Sequence, residues 1–268
     1  MNKLIIVVTA MLFALPLAFG QNNRSWVAST GNDSNACTRA QPCATFQGAL
    51  GKTNANGEID VVDPGEYGEV SIPMPVTIDG GGIGRITEAP GYYGAVQIGN
   101  VSGPVTLRNL SIQAGEAGIV AGIVSNAPLV HIENVSVSSF HTSQYFVGIS
   151  IVGGTATLDR VVVQDADYFG IYVLNGAVVR VRDSIVTNAP FGIVAVSSTI
   201  TVDISVITNC GTGIDAANSG TVRLSSTTVT DNTYGLSLYN GGSIISFVNN
   251  RISGNGTDGS PTKSVYQR

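Results

Sequence analysis

Apolar and polar residues alternate along most of this chain, and the alternating segments themselves recur about every 22 residues. Each repeat contains a Gly-Ile or Gly-Leu pair, an alternating run, a corner of small residues and a second alternating run. The glycines of these pairs are spaced by 22, 22, 21 and 22 residues: Gly148, Gly170, Gly192, Gly213 and Gly235. Self-similarity at such a period predicts stacked units, none of which buries its apolar face alone.

Each unit is predicted to consist of short β-strands, because apolar residues recur at every second position, as at Ile171 and Val173. Val, Ile and Thr dominate the runs, whereas Gly, Asn, Asp and Ser occupy the joints. Short strands joined by tight corners can wind as a coil, each strand pairing in parallel with its equivalent one turn later. Each strand residue extends the chain by roughly 3.3 Å, so a turn of about 22 residues is long enough for three short strands and their corners. The predicted fold is all-β: a parallel β-helix with three short strands per coil.

The N-terminal 20 residues have the pattern of a signal peptide. Lys3 gives a positive start, the run from Leu4 to Leu17 is almost wholly apolar, and Ala18 and Gly20 are small residues at a cleavage site. A membrane anchor is the alternative, but the apolar run is short for a membrane span. We therefore expect a secreted, periplasmic or extracellular protein that is not integral to a membrane after cleavage.

The residues that follow are predicted to cover the first coil of the solenoid. Phe46, Ala49 and Leu50 have the spacing of a short amphipathic helix, and a helix at this end would hide the apolar interior. The predicted organisation is a signal peptide at 1–20, a cap segment with a short helix at 21–57, the β-helix at 58–256 and a polar tail at 257–268.

Three cysteines are consistent with export. Cys37 and Cys43 flank a short loop, and a disulfide there would fix an irregular segment. A zinc site is the alternative, but further ligands are missing nearby. Cys210 has no partner histidine in its sequence neighbourhood, which favours a small buried residue over a nucleophile.

The N-terminal segments resemble the entry of right-handed β-helix proteins of the pectin-lyase-like superfamily. The segments that carry the resemblance are Trp26 to Asp33, Pro42 to Gln47, Gly57 to Val61 and Pro64 to Tyr67. With the repeats, it extends from Trp26 to Asn255. It implies a right-handed β-helix, but not one function, because this superfamily includes lyases, hydrolases, epimerases, tailspikes and surface proteins without activity.

Charge and composition narrow the set of partners. The formal net charge is −5 and charged residues make up 12% of the chain, with no basic run. Nucleic acid is therefore not an expected partner, whereas a polysaccharide or a surface protein is.

Enzymes of the resembled superfamily that cleave uronate polymers use clustered Asp residues for Ca²⁺ with an Arg or Lys base, and such groups must face outward on neighbouring coils. After the Gly-Ile pairs, the outward row contains a single carboxylate: Ser150, Tyr172, Val194, Asp215 and Ser237. We therefore assign no catalytic residue and no cofactor, with Ca²⁺ expected only if the chain is a lyase. Asp165 and Asp167 form a weak Asp-x-Asp candidate for Ca²⁺.

The second strand of each repeat has more polar outward rows. One row contains Arg108, Glu133, Asp159, Arg182 and Asp203, and the adjacent row contains His131, Arg180 and Arg223. The structural interpretation is a solvated face with opposite charges paired across coils. The functional interpretation is a binding site for an acidic sugar, in which Asp159, Arg180, Arg182 and Arg223 take part, the arginines through bidentate contacts. Tyr145 and Tyr168 are candidates for stacking on a sugar ring.

Corner positions are predicted from Asn, Asp and Ser, which tolerate left-handed backbone. Equivalent corner positions on successive coils form two columns. One column contains Asn109, Asn134, Arg160, Asp183, Ser226 and Asn249, and the other contains Asn188, Asn209 and Asp231.

The resulting hypothesis is a secreted, noncatalytic β-helix protein that binds carbohydrate or a protein partner along one flank. The alternative, from a different functional class, is a polysaccharide lyase or related carbohydrate-active enzyme acting on an acidic glycan.

Overall fold

A computed structural model describes residues 21–87, 94–114, 121–139 and 146–266 of the 268-residue chain. The predicted signal peptide and Tyr145 lie outside these residues. Within these ranges, one short helix, α1 (Phe46–Leu50), accompanies 25 strands. In chain order the strands are β1 (Asn22–Val27), β2 (Thr53–Val61), β3 (Gly65–Glu66), β4 (Val70–Ile72), β5 (Val76–Thr87), β6 (Gly94–Ile98), β7 (Val105–Ala114), β8 (Ala121–Ser125), β9 (Leu129–Ser139), β10 (Val147–Ile151), β11 (Thr155–Asp159), β12 (Val162–Gln164), β13 (Phe169–Val173), β14 (Val178–Arg182), β15 (Ile185–Thr187), β16 (Phe191–Val196), β17 (Thr199–Asp203), β18 (Val206–Thr208), β19 (Thr212–Ala217), β20 (Thr221–Ser225), β21 (Thr228–Thr230), β22 (Tyr234–Tyr239), β23 (Ser243–Phe247), β24 (Arg251–Ile252) and β25 (Lys263–Val265).

The strands wind as a coil with three walls, and the strands named above pair in parallel with their equivalents one turn away, which confirms the predicted parallel β-helix. Wall 1 is an eight-stranded sheet in the order β4-β6-β8-β10-β13-β16-β19-β22. A second sheet forms the other two walls. Wall 2 contains β11, β14, β17, β20, β23 and the first parts of β5, β7 and β9; wall 3 contains β12, β15, β18, β21, β24 and the later parts of those three strands.

The coil-to-coil register follows the sequence repeat. On wall 1, Ile149 pairs with Ile171, Ile171 with Ile193, and Ile193 with Ile214. These four side chains are all fully buried. Burying a side chain of this size contributes about 1.5–3 kcal/mol, so stacks of apolar residues along the three walls supply the core.

The repeat glycines are needed for steric reasons, since none of them has a positive φ. A Cβ atom built on Gly170 would lie 2.6 Å from the carbonyl oxygen of Gly192 on the next coil and 2.5 Å from Cγ1 of Val186. The equivalent position at Gly192 would lie 2.6 Å from the carbonyl oxygen of Gly213. Wall 1 therefore approaches wall 3 and the next coil too closely for any side chain here.

Most of the predicted corner positions have a left-handed backbone, but Asn249 does not. Residues with positive φ include Asn109, Asn134, Arg160, Asp183 and Ser226 in one column of corners, and Asp165, Asn188, Asn209 and Asp231 in the other. Side-chain amides link successive corners: Asn134 Nδ2 donates to Asn109 Oδ1 at 2.8 Å, and Asn188 Nδ2 donates to Asp165 Oδ1 at 3.0 Å. Such ladders satisfy polar groups that tight turns would otherwise leave unpaired.

A buried asparagine holds the corner between walls 3 and 1. Asn232 is 3% exposed, and its side-chain Nδ2 donates to the carbonyl oxygens of Ile207 (3.2 Å) and Thr230 (2.9 Å). Its Oδ1 accepts from the backbone N–H of Cys210 at 2.9 Å. Cys210 is a buried free cysteine at this corner, and burial raises the pKa of its thiol, which suits a packing role.

The N-terminal segment lies against the first coils. Thr45 accepts from the N–H of Gly48 at 2.9 Å as N-cap of α1, and Phe46, Ala49 and Leu50 are buried. Cys37 and Cys43 form the predicted disulfide. The boundary predicted between residues 57 and 58 falls within β2, and the capping role of this segment stays a prediction.

At the other end, the predicted tail pairs with the last strands of walls 1 and 2. Thr257 pairs with Tyr234, and β25 pairs in parallel with β23. Within the described ranges, no helix is long and apolar enough to cross a membrane.

Candidate binding groove on wall 2

The exterior of wall 2 has the two polar rows that the alternation predicts. Strand pairing aligns Asp79, Arg108, Glu133, Asp159, Arg182 and Asp203 in one row. The adjacent row contains Thr106, His131, Thr157, Arg180, Thr201 and Arg223. Neighbouring members lie on successive coils, roughly 4.8 Å apart, so the rows form a regular polar surface along the solenoid axis.

A shallow groove of about 520 Å³ crosses four coils of this surface. It brings together three of the predicted binding residues, Asp159, Arg180 and Arg182. It also contains Thr106, His131, Ile132, Glu133 and Thr157. The groove therefore combines guanidinium groups, carboxylates, an imidazole and hydroxyls within reach of one extended ligand.

The carboxylates of the groove are held by ion pairs. Arg160 contacts Glu133 and also donates from an Nη atom to Asp159 Oδ2 at 2.6 Å. Arg180 donates to Asp203 Oδ2 at 2.9 Å. The contact between Arg180 and Asp203 joins opposite charges of the two predicted rows across coils, whereas the contacts of Arg160, which was predicted at a corner, were not expected. At such exposure each contact contributes less than about 1 kcal/mol.

One group in the groove is open to a ligand. Arg182 is half-exposed, and its Nε lies 3.5 Å from Asp183 Oδ2, which leaves most of its guanidinium donors uncommitted among the residues that the structure describes. The Oδ1 atom of Asp159 is buried and has no hydrogen-bond partner among the same residues, so it is an unsatisfied acceptor beneath the surface of the groove.

The other predicted site residues lie elsewhere. Arg223 is on the same outward row as Arg180, but two coils farther along, with Thr201 between them. Tyr168 packs in an aromatic cluster beside wall 1, 4.2 Å from the ring of Phe169 and 5.7 Å from that of Phe191. Neither belongs to the groove.

Among the residues that the structure describes, the Ca²⁺ candidates Asp165 and Asp167 are not part of a larger carboxylate cluster. Asp165 accepts from Asn188 at a corner. Over the described ranges, the one group of three acidic, His or Cys residues close enough to hold a metal is Glu58, Asp60 and Asp79, which contains neither Asp165 nor Asp167. The binding role of the Asp165–Asp167 pair stays a prediction.

The group formed by Glu58, Asp60 and Asp79 was missed by sequence reasoning, because it depends on how the irregular first coils align. Arg108 contacts Glu58 at 2.6 Å and Asp79 at 2.7 Å, and Arg24 pairs with Asp60. Partial burial opposes ionisation of Asp79, but hydrogen bonds, including the one from Arg108, outweigh it and hold the pKa of Asp79 below its usual range. Three carboxylates that are each already paired with a guanidinium group fit Ca²⁺ poorly, since the cation needs six or more free oxygen ligands.

The exterior of wall 1 has a mixed outward row with one carboxylate. The predicted row is confirmed by pairing: Ser150, Tyr172, Val194, Asp215 and Ser237. The rings of Phe169 and Tyr172 stack at 4.3 Å, and Val194 is 3% exposed although its backbone places it on the outer side. Burial raises the pKa of Asp215, partly offset by a hydrogen bond with Ser237. A single such carboxyl provides no acid–base pair.

Comparison with known proteins agrees with this architecture. The family model described as "Right handed beta helix region" matches residues 94–252. No curated protein matches the sequence. Among solved structures, Escherichia coli ybhc has a TM-score of 0.57 at 14% identity, with 99% of this chain and 87% of that chain covered.

Two further structures are similar at low identity. Pectate lyase Pel9A has a TM-score of 0.50 at 13% identity, covering 85% of this chain and 75% of its own. The enzymatically active domain of bacteriophage CBA120 tailspike protein 2 has a TM-score of 0.52 at 12% identity, with 83% of this chain and 43% of that chain covered. At these identities the likeness shows the fold alone. The family match covers more than half of the sequence, so the chain belongs to the right-handed β-helix family.

Proposed function

We propose that this chain is an exported, noncatalytic β-helix protein that binds an acidic polysaccharide along wall 2. The observation that carries the proposal is the groove, in which Arg180 and Arg182 lie beside His131 and Asp159 on successive coils. The side chains of the two arginines are 58% and 50% exposed. Guanidinium groups suit carboxylates because they can donate two parallel hydrogen bonds.

The shape of the groove favours an extended ligand. It is shallow and crosses four coils, so a polymer can lie along it without being bound at a chain end. Export is supported by the pattern of residues 1–20 and by the disulfide between Cys37 and Cys43. The noncatalytic part of the proposal is supported by Arg160, which pairs with both Glu133 and Asp159 and so engages the carboxylates that would act as acid or base.

Affinity electrophoresis in gels that contain polygalacturonate, alginate or a neutral glucan tests the proposal. We expect retardation by an acidic polymer, and about 10- to 100-fold weaker binding in Arg182→Gln, because a charge-assisted hydrogen bond contributes about 1.5–3 kcal/mol. Arg251→Gln removes the same charge from an exposed position on wall 3 and should bind like the wild type. Absence of retardation in every gel, or equal losses in both variants, would contradict the proposal.

A further inference from the structure

A second, smaller cavity lies at the corner between walls 2 and 3, next to the wall 2 groove. Its volume is about 220 Å³, and we call it the corner pocket. The residues that line it include Gly82, Asn109, Ser111, Asn134, Ser136 and Arg160. Pockets for drug-sized ligands measure roughly 300–1,000 Å³, so this cavity has room for a single sugar ring but not for a chain.

The corner pocket exists because an early coil is irregular. β5 advances five residues, from Asp79 to Gly84, where the facing part of β7 advances two, from 108 to 110. The extra residues form a loop in which Gly81 and Gly82 have φ values of 58° and 75°. A Cβ atom built on Gly82 would meet no atom within 4 Å. The loop therefore supplies one edge of the pocket without filling it.

The polar side chains of the corner pocket are open to a ligand. Asn134 ends a ladder of side-chain amides, because its Nδ2 donates to Asn109 Oδ1 and the next corner is Arg160 instead of an amide. Within the described ranges, Asn134 Oδ1 and the hydroxyls of Ser111 and Ser136 make no side-chain hydrogen bond. The hydroxyl groups of a sugar both donate and accept, so they complement this set.

The two hydroxyls are confined to the pocket. One outward row of wall 3 contains, on successive coils, Ser111, Ser136, Val162, Ile185 and Val206. Ile185 and Val206 are 42% and 37% exposed. The three coils that follow Ser136 thus offer methyl groups and no hydroxyl on this row, so a sugar ring finds its polar partners at the pocket and not beside it.

Charge favours a neutral guest. Arg160 lines the pocket, but its two Nη atoms pair with Glu133 and Asp159. Two carboxylates beside one guanidinium group leave an excess of negative charge, which would repel an anionic sugar residue. The acidic residues of a polymer are better placed in the groove, beside the exposed side chains of Arg180 and Arg182.

The pocket and the groove are continuous enough to share one ligand. Glu133 and Asp159 line the groove, and the residues that follow them directly, Asn134 and Arg160, line the pocket. Consecutive Cα atoms are about 3.8 Å apart. A single residue attached to a polymer in the groove can therefore reach around the corner into the pocket.

We propose that the corner pocket binds one neutral sugar residue that branches from the acidic polymer in the wall 2 groove. This inference rests on the proposed function and makes its ligand a branched acidic polysaccharide. The carboxylates of the polymer backbone contact Arg180 and Arg182, whereas the hydroxyls of the branch contact Ser111, Ser136 and Asn134.

Affinity electrophoresis of the full chain, as the cell produces it, tests the inference with two polymers at equal uronate content. One is linear polygalacturonate, and the other is xylogalacturonan, a polygalacturonate with single xylose branches. We expect the branched polymer to bind at least about tenfold more tightly, since two or three neutral hydrogen bonds together supply about that factor.

Ser136→Leu places an apolar side chain in the pocket and removes a hydroxyl. It should reduce the preference for the branched polymer to about twofold or less, while the linear polymer binds as it does to the wild type. Thr228→Leu is the matched control, because it makes the same kind of change on the same row outside the pocket. It should keep the full preference.

Far-UV circular dichroism verifies that each variant is folded, and Ser136→Ala, with a smaller expected loss of about threefold in the preference, replaces Ser136→Leu if that variant unfolds. Absence of binding to both polymers would refute the proposed function together with this inference. Binding of the linear polymer without a preference for the branched one, or equal effects of the substitutions at Ser136 and Thr228, would overturn this inference alone.

Discussion

Replacing one repeat glycine by alanine tests why the 22-residue period begins with glycine. In Gly170→Ala the new methyl group would lie 2.6 Å from the carbonyl oxygen of Gly192 and 2.5 Å from Cγ1 of Val186. Ordinary contacts of this type begin near 3.4 Å. Both obstacles belong to packed strands, since Gly192 is part of β16 and Val186 part of β15, so neither can withdraw without moving a wall.

The magnitude follows from the cost of overpacking a well-packed interior, which is typically 1–3 kcal/mol. We expect the upper end, about 3 kcal/mol, because one of the two contacts is with backbone. A change of 1 kcal/mol shifts the melting temperature of a domain of this size by about 2–4 °C. Gly170→Ala should therefore lower it by about 6–12 °C.

Thermal unfolding followed by circular dichroism measures this shift. Gly51→Ala is the control, because Gly51 has a φ of −63° and the nearest atom to its added methyl group is 3.6 Å away. It should melt within about 2 °C of the wild type. A Gly170→Ala protein that melts as high as Gly51→Ala would refute the steric explanation of the repeat.

Three further outcomes follow from the structure. Replacing Cys37 and Cys43 with Ser should cost about 2 kcal/mol, the loop-closure value for a bridge of this separation, seen as a lower urea midpoint; an unchanged midpoint would contradict it. Asn232→Ala should lower stability by about 2–4 kcal/mol in the same assay, because buried backbone groups lose their partners. Burial raises the folded-state pKa of Asp215 above its unfolded value, so its contribution is favourable below the unfolded pKa and is lost as pH rises through the folded pKa. Asp215→Asn should thus be more stable than the wild type at neutral pH, with the difference shrinking in acid; a constant difference would show that the carboxyl titrates normally.

The sequence was sufficient to predict the fold because two periods constrain it at once. Alternation assigns each residue to the interior or the exterior, and the 22-residue repeat fixes which residues are neighbours on successive coils. A shift of one residue would have moved every apolar side chain outward. The rows that contain Asp159, Arg182 and Asp215 could therefore be assigned from the sequence alone.

Local chemistry predicted most corners, but not all of them. Asn109 and Asn134 are residues that adopt left-handed backbone readily, and they do so here. Ile204 also has a positive φ, of 48°, although β-branched residues rarely adopt it. No local signal marks this position, because the neighbouring coils impose the corner.

Side-chain pairing was the least predictable part of the site. Arg160 was assigned to a corner, and its contacts with Glu133 and Asp159 depend on how a long side chain reaches across one coil. The carboxylates of Glu58 and Asp79 are distant in sequence and meet through the alignment of the first coils. Alternation gives the face on which a residue lies, but not the partner that its side chain selects.

The most direct test of the central claim measures binding and turnover on the same acidic polysaccharide. Polygalacturonate is incubated with the mature protein, retention on the polymer is measured, and unsaturated products are followed by their absorbance. We predict retention that Arg182→Gln weakens, without formation of unsaturated products. Product formation that is abolished by Asp159→Asn or Arg182→Gln would contradict the noncatalytic function and identify the groove as the active site of a lyase.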